Sequence, residues 1–280
     1  MQSTGFFNLN GQLYSPDTKV FGTTNRAYRY GDGLFETMRL IDGNLMYFKY
    51  HMERLFKGMN TLKLNYHKAF DNEFIASEIF SLARANKIYK NARIRFSVFR
   101  EDGGWYTPDK NTFQYLIEIQ ALEESTYTAE KGLIVDVYND LHKDYTSISS
   151  LKTINALPYV LAGVYRKENQ LDECILLNRE HNIVESISSN IFLIKEKKIY
   201  TPVITEGCID GVMRKVVIEI IKNKKLQLLE SKLPVALLEH ADEIFLTNSI
   251  KGIQSVVGIG NKRYFSKMSK ELLAELNRSL

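Results

Sequence analysis

The chain has 280 residues, 44% hydrophobic and 25% charged, which is enough for one large globular domain or two modest ones. Lys and Arg outnumber Asp and Glu by only four (37 against 33) and are dispersed, so the charge balance points to neither nucleic acid nor a membrane surface as a partner. The opening MQSTGFFNLNGQLYSP lacks the basic-then-apolar order of a signal peptide, and no apolar run is long enough to cross a bilayer, so a cytoplasmic location is expected.

Short β-like stretches come first: FFNLNGQLY with a turn at Asn10-Gly11, then GLFETMRLIDGNLMYF, where Asp42-Gly43 between apolar runs is a hairpin signal. Helical periodicity follows in HMERLFKGMNTL and FIASEIFSLARAN. Two more strands, ARIRFSVFR and FQYLIEIQALE, flank the Gly-rich loop EDGGWYTPDKN. Residues 1–123 therefore read as a small α+β domain. The polar stretch EESTYTAEK has no periodicity and supplies a linker over residues 124–130. A larger domain over 131–280 begins with strand GLIVDVY, a helix around Leu157 to Glu168 and strand ECILLN. It continues with a hairpin from Asn190 to Pro202, a helix from about Gly211 to Asn223, strand EIFLTNS and a final helix in SKELLAELNRS. Two α+β domains with a cleft between them are expected.

Three segments carry the chemistry. Lys152 lies in SSLKTINALPYV and is the only charged residue from Tyr145 through Tyr165. Most lysines are solvated, but a setting of small and apolar residues disfavours the ammonium form and favours a nucleophilic amine. Glu185 stands in the β-like stretch IVESIS after the turn REHN. An exposed strand carboxylate is the ordinary reading; the functional one places it against a pyridine nitrogen, where it keeps the ring protonated. Gly207, Gly211 and Arg214 fall in EGCIDGVMRK, which runs from a turn into a helix. Glycines there are often caps, yet the first amides of that helix, at Val212 and Met213, suit a phosphate dianion, and Arg54 in HMERL adds a charge-assisted contact. An amine, a carboxylate and a phosphate cradle are the groups that pyridoxal phosphate requires. Arg93 and Arg95 share a strand face by alternation, and with Arg100 they are candidate carboxylate contacts for substrate; a solvated strand edge is the plain alternative. Cys174 and Cys208 have no metal-ligand spacing, and no metal site is expected. Gly258-Ile259-Gly260 is followed by Asn-Lys-Arg and not by a helix-opening glycine, which argues against a dinucleotide fold.

Taken in order, NRAYRYGDGLFETMR, HMERL, LKTIN, IVESISSNIF, TPVITEGCIDGVMRK and DEIFLTNSIKGIQSV resemble the class IV aminotransferases, the pyridoxal-phosphate enzymes of fold type IV. That group includes branched-chain and D-amino-acid aminotransferases and aminodeoxychorismate lyases. The resemblance implies a two-domain α+β and α/β fold, with a small N-terminal domain, a larger C-terminal one and the cofactor in the interdomain cleft, usually in a homodimer. It also implies that Lys152 is the Schiff-base lysine, Glu185 the partner of the ring nitrogen, and Arg54, Val212, Met213 and Ser249 the phosphate contacts. Asn190, in SNIF, matches a signature asparagine whose role is structural.

Three positions depart from the branched-chain pattern. Leu157 stands where those enzymes often place a tyrosine, five residues after the lysine. Asn248-Ser249-Ile250-Lys251 replaces their Gly-Thr-Ala-Ala. Thr37, a candidate catalytic residue, falls where the lyases of the group resemble one another in carrying threonine. The expected activity is amino transfer between an amino acid of branched-chain type and a 2-keto acid. The alternative is an aminodeoxychorismate lyase releasing pyruvate and 4-aminobenzoate. A non-catalytic cofactor-binding paralogue is the remaining alternative, and the presence of both Lys152 and Glu185 speaks against it.

Overall fold

The computed structural model describes residues 5–128 and 131–280, so Ala129 and Glu130, at the end of the expected linker, lie outside the described residues. It divides into two compact units: Met1–Ser125 with Leu151–Asn155, and Thr126–Ser150 with Ala156–Leu280. The return of residues 151–155 to the first unit differs from a division at a single linker, and it moves Lys152 into the N-terminal unit. The reason is packing. Leu151 is buried in the first unit's core, and Thr153 forms a β-bridge with Leu34.

The first unit contains β1 (Phe7–Leu9), β2 (Gln12–Tyr14), α1 (Arg26–Tyr30), β3 (Gly33–Ile41), β4 (Asn44–Leu45), α2 (Phe48–Thr61), α3 (Asn72–Ala85), β5 (Ala92–Arg100) and β6 (Phe113–Ala121). Its sheet runs β2-β1-β6-β5-β3-β4, and the pairs β1–β2, β3–β4, β3–β5 and β5–β6 are antiparallel. Asp42 and Gly43 both take positive φ, as a tight two-residue hairpin demands. Strand alternation then sorts β3. Leu34, Met38 and Leu40 face a core that includes Ile94, Phe96 and Val98 of β5. Helix α2 closes this core with Met52, Leu55 and Met59, and α3 with Ile75, Ile79 and Leu82, each set at one-turn spacing. Asp71 caps α3 by accepting from Phe74 N at 2.9 Å.

The second unit contains β7 (Leu133–His142), α4 (Leu157–Glu168), β8 (Glu173–Leu177), β9 (Ile183–Ser186), β10 (Asn190–Lys195), β11 (Lys198–Pro202), α5 (Val212–Asn223), β12 (Leu228–Ser231), α6 (Leu237–His240), β13 (Glu243–Asn248), β14 (Gly252–Ile259), β15 (Lys262–Arg263) and α7 (Lys267–Arg278). The sheet order is β12-β11-β10-β13-β14-β7-β8-β9, with β15 on β14. Parallel pairs (β11–β12, β14–β7, β7–β8) mix with antiparallel ones. Strands β8 and β13 are almost wholly buried, which explains why their centres read as apolar runs and not as alternation. No helix among the described residues is long and apolar enough to cross a membrane.

Candidate active site

In the first unit, Lys152 is held by backbone pairing to the start of β3. Phe35 N donates to Lys152 O at 2.9 Å and Ile154 N to Gly33 O at 3.0 Å. The glycines of GDG make this approach possible. A Cβ on Gly33 would lie 2.5 Å from Val98 O and 2.6 Å from Ile154 Cδ1. Gly31 ends α1 in the left-handed region, where any other residue is strained and a Cβ would press on Asn155. The Lys152 ammonium nitrogen sits 4.5 Å from the centre of the Phe35 ring.

Phe35, Thr37 and Arg39 form the face of β3 opposite its core. Thr37 is in register with Arg95 and Arg39 with Arg93, so the two arginines do share one face as alternation requires. The Arg95 guanidinium carbon lies 3.7 Å from the centre of the same Phe35 ring that Lys152 meets. Glu118 on β6 stands 3.7 Å from Arg95 Nε. Arg100 lies apart from this pair of arginines, at the end of β5. It is buried, and its three side-chain nitrogens donate to Asp32 Oδ2 (2.9 Å), Asn111 Oδ1 (2.6 Å) and Leu62 O (2.7 Å). Asp32 also accepts from Arg26 Nε at 2.9 Å, so Arg100 fastens the GDG turn and the loop after β5.

On the core side, Glu36 is the one β3 residue of that face that is charged. It accepts from Arg54 Nε (2.8 Å), Arg54 Nη2 (2.5 Å) and His51 Nδ1 (2.6 Å), all within the buried interior. Burial opposes the Glu36 charge, but the Arg54 guanidinium and the hydrogen bonds from His51 and Arg54 outweigh it and hold the carboxyl at about 2. Burial also lowers the His51 pKa, against the pull of Glu36. Arg54 therefore has its plane fixed by a two-point carboxylate contact.

In the second unit, Glu185 is 3% exposed and lies at the centre of a converging set of donors. Lys143 Nζ (2.7 Å) and Tyr159 OH (2.7 Å) meet Oε1, while Ile209 N (2.9 Å) donates to Oε2. Burial and then the Glu185 charge push the Tyr159 phenol well above the usual range, and the same two causes lift the Cys208 thiol to about 12. The loop from Gly207 to Gly211 is fixed on several sides. Asn190 Nδ2 donates to Ile209 O at 2.8 Å, Asp210 N donates to Ser150 O at 3.0 Å, and a Cβ on Gly211 would lie 1.9 Å from Asn190 Oδ1. The first intrahelical bond of α5 runs from Lys215 N to Gly211 O, so the amides of Val212, Met213 and Arg214 precede the helical ladder. Arg214 itself turns to Pro202 O and Glu230.

The Asn248–Lys251 turn completes this arrangement. Asn248 Oδ1 accepts from Ile250 N (3.0 Å) and Lys251 N (2.8 Å), and its Nδ2 donates to Ser189 Oγ (2.9 Å), tying the Ser249 turn to the end of β9 and the start of β10. Leu157 is 66% exposed at the start of α4. Glu36, His51, Phe35, Lys143 and Tyr159 were absent from the sequence-based candidates. The usable signal for Glu36 was a carboxylate on the apolar face of a strand that precedes a helix with His51 and Arg54 one turn apart.

A family model described as amino-transferase class IV matches residues 33–259. A Methanocaldococcus jannaschii protein named "putative branched-chain-amino-acid aminotransferase" is 26% identical, covering 96% of this chain and 92% of its own length. An aminodeoxychorismate lyase of Bacillus subtilis is 28% identical, covering 92% of this chain and 88% of its own. Among solved structures, a branched-chain aminotransferase from Thermoproteus uzoniensis, crystallised with norvaline, superposes with a TM-score of 0.87 at 22% identity, covering 98% of this chain and 93% of that one.

Proposed function

Because this chain belongs to the class IV aminotransferase family, we propose that it is a pyridoxal-phosphate-dependent aminotransferase moving an amino group between an amino acid of branched-chain type and a 2-keto acid. The residues fit that cofactor by the chemistry of their donors. Ionised Glu185 offers about four acceptor positions, of which Lys143, Tyr159 and Ile209 use three, leaving one directional position for a ring N–H. The α5 amides of Val212 and Met213, aligned with the helix dipole, suit a phosphate dianion, with Ser249 and the oriented Arg54 as further contacts. The cofactor, when bound, supplies an electron sink for a bond broken at the substrate's α-carbon.

This chain's own residues supply the rest. Lys152 would hold the cofactor through its amine, and as a free amine it would act as the base that removes and returns a proton. Arg95 binds the substrate carboxylate, with Arg93 adding positive charge on the same face. One observation carries the amino-transfer reading: the Lys152 ammonium and the Arg95 guanidinium share the Phe35 ring. A base and a carboxylate clamp on one platform are what removal of a proton beside a carboxylate requires.

Thr37 favours the lyase as a second reading, since it stands where the lyases of the group carry threonine and directly opposite Arg95, the proposed carboxylate contact, across the β3–β5 pair. The purified protein with pyridoxal phosphate would be given leucine and 2-oxoglutarate, then D-alanine, then enzymatically generated aminodeoxychorismate. Formation of the keto acid from leucine is the expected outcome. Release of 4-aminobenzoate and pyruvate, with no keto acid from either amino acid, would replace the lead with the lyase. We also propose a second copy of the chain as partner, supported by the exposed Leu157, Val160, Leu161 and Val164 along one side of α4. A monomeric mass in light scattering at micromolar concentration would contradict it.

A further inference from the structure

We propose that Lys143 is a positioning residue that holds the Glu185 carboxylate ionised and aimed, and that it couples this carboxylate to the loop leading into α5. The proposal deepens the reading of Glu185 as partner of a ring nitrogen and rests on it. Lys143 follows the last residue of β7, where the chain leaves the sheet, and its side chain is 12% exposed. An ammonium has three protons, and here three acceptors receive them: Glu185 Oε1 at 2.7 Å, Ser149 O at 3.3 Å and Gly207 O in close contact. Those acceptors lie on three different segments: β9, the Thr146–Ser150 turn that precedes Lys152, and the Gly207–Gly211 loop.

The backbone agrees with the side chain. Gly207 has φ +106°, and a Cβ there would lie 2.8 Å from Lys143 O and 3.0 Å from the Asp144 carbonyl carbon. The loop is therefore glycine at the point where it crosses the lysine, and the lysine then bonds that same glycine's carbonyl. Lys143 also stands 5.6 Å from the centre of the Tyr159 ring, whose hydroxyl binds the same carboxylate oxygen. Every contact of this set lies within the second unit.

Electrostatics give the lysine its purpose. Glu185 is nearly fully buried, and a buried carboxylate without a cation takes up a proton. The other groups facing it are Tyr159 from α4 and Cys208 from the loop, both held neutral at ordinary pH. Asp210 and Arg214 lie further along the same path and are paired with Lys215 (3.1 Å) and Glu230 (2.7 Å). Lys143 is thus the cation in direct contact with Glu185 among the described residues. A protonated Glu185 has lost the charge that a pyridinium needs opposite it.

The test compares wild type, Lys143→Gln and Lys143→Arg. Glutamine keeps hydrogen-bonding capacity toward Gly207 and Ser149 without the charge, and arginine keeps the charge. Two quantities are read: the pyridoxal phosphate dissociation constant from pH 5 to 9, and thermal unfolding of the cofactor-free protein over the same range. For Lys143→Gln we expect cofactor binding weakened by about tenfold or more at neutral pH, as for a lost hydrogen bond between charged groups. In the cofactor-free variant the buried Glu185 carboxylate has lost its counter-charge, a cost that applies only while the carboxylate is ionised. The deficit against wild type should therefore grow with pH, and Lys143→Arg should recover most of it. A deficit equal at all pH values, or cofactor affinity equal to wild type, would overturn the role of Lys143 while leaving the cofactor reading intact. A wild-type protein that fails to bind pyridoxal phosphate would overturn both.

Discussion

Replacing Glu36 by glutamine tests whether the buried carboxylate on β3 is what holds Arg54 in place. Glutamine is nearly isosteric with the protonated acid, so the substitution removes charge and little volume. Two estimates give its size. A carboxyl moved from 4.5 to about 2 corresponds to about 3 kcal/mol of stability at neutral pH, at roughly 1.4 kcal/mol for each tenfold change. Breaking a buried ion pair by removing one partner costs about 3–5 kcal/mol, because the other charge stays behind in low dielectric. The two agree on about 3 kcal/mol, which lowers the first thermal transition by about 10 °C for a unit of this size. The sign of the pH dependence follows from the lowered carboxyl. Its contribution is complete above about pH 4.5 and disappears as pH falls toward 2. Wild type and Glu36→Gln should therefore differ most at neutral pH and converge in acid. The assay is scanning calorimetry of both proteins at several pH values between 7 and 3. A Glu36→Gln transition within about 2 °C of wild type at pH 7, or a gap that does not narrow in acid, would refute the reasoning.

The other predictions concern the site more directly. Lys152→Ala should abolish the covalent attachment that borohydride makes permanent between protein and pyridoxal phosphate; mass spectrometry finding the adduct undiminished would place the attachment elsewhere. Thr37→Val should lower 4-aminobenzoate release far more than keto-acid formation, when both are measured on the same preparation, and equal losses would remove Thr37 as a marker of the lyase. Gly33→Ala should destabilise the first unit by about 1–3 kcal/mol, because the added methyl meets Val98 O and Ile154 Cδ1 within 2.6 Å. Denaturant midpoints equal to wild type would mean that the Lys152 segment yields without cost.

The elements were legible where local signals were strong. Asp42-Gly43 gave the hairpin, and one-turn apolar spacing gave α2, α3 and α4, the last from Leu157 to Glu168 as in the structure. β12 and α6, which were missed, are short and depend on neighbours: β12 exists as a strand because it lies alongside β11. Candidate site residues stand out in the sequence where a segment departs from its surroundings, as Lys152 does in a stretch with no other charge. Lys143 and Tyr159 gave no such signal, since a lysine after a strand and a tyrosine on a helix are ordinary. Their meaning comes from Glu185, 42 and 26 positions further along the chain. Arg100 shows the opposite case. Its position beside a Gly-rich loop looked functional, yet Asp32, Asn111 and Leu62 engage its whole guanidinium.

The five residues Leu151–Asn155 give the chain an interleaved order. It leaves the first unit after Ser125, comes back at Leu151 and departs again at Ala156. On the ribosome, the first 125 residues emerge without the segment that pairs with Gly33–Phe35, so the start of β3 has an unfilled edge until a further stretch has been made. A fragment ending near residue 125 would keep most of its hydrophobic interior yet lack Leu151 and the backbone partners of β3. The two units are thus poor candidates for separate expression, since the segment that carries the lysine proposed for chemistry belongs to the first unit but is encoded within the second.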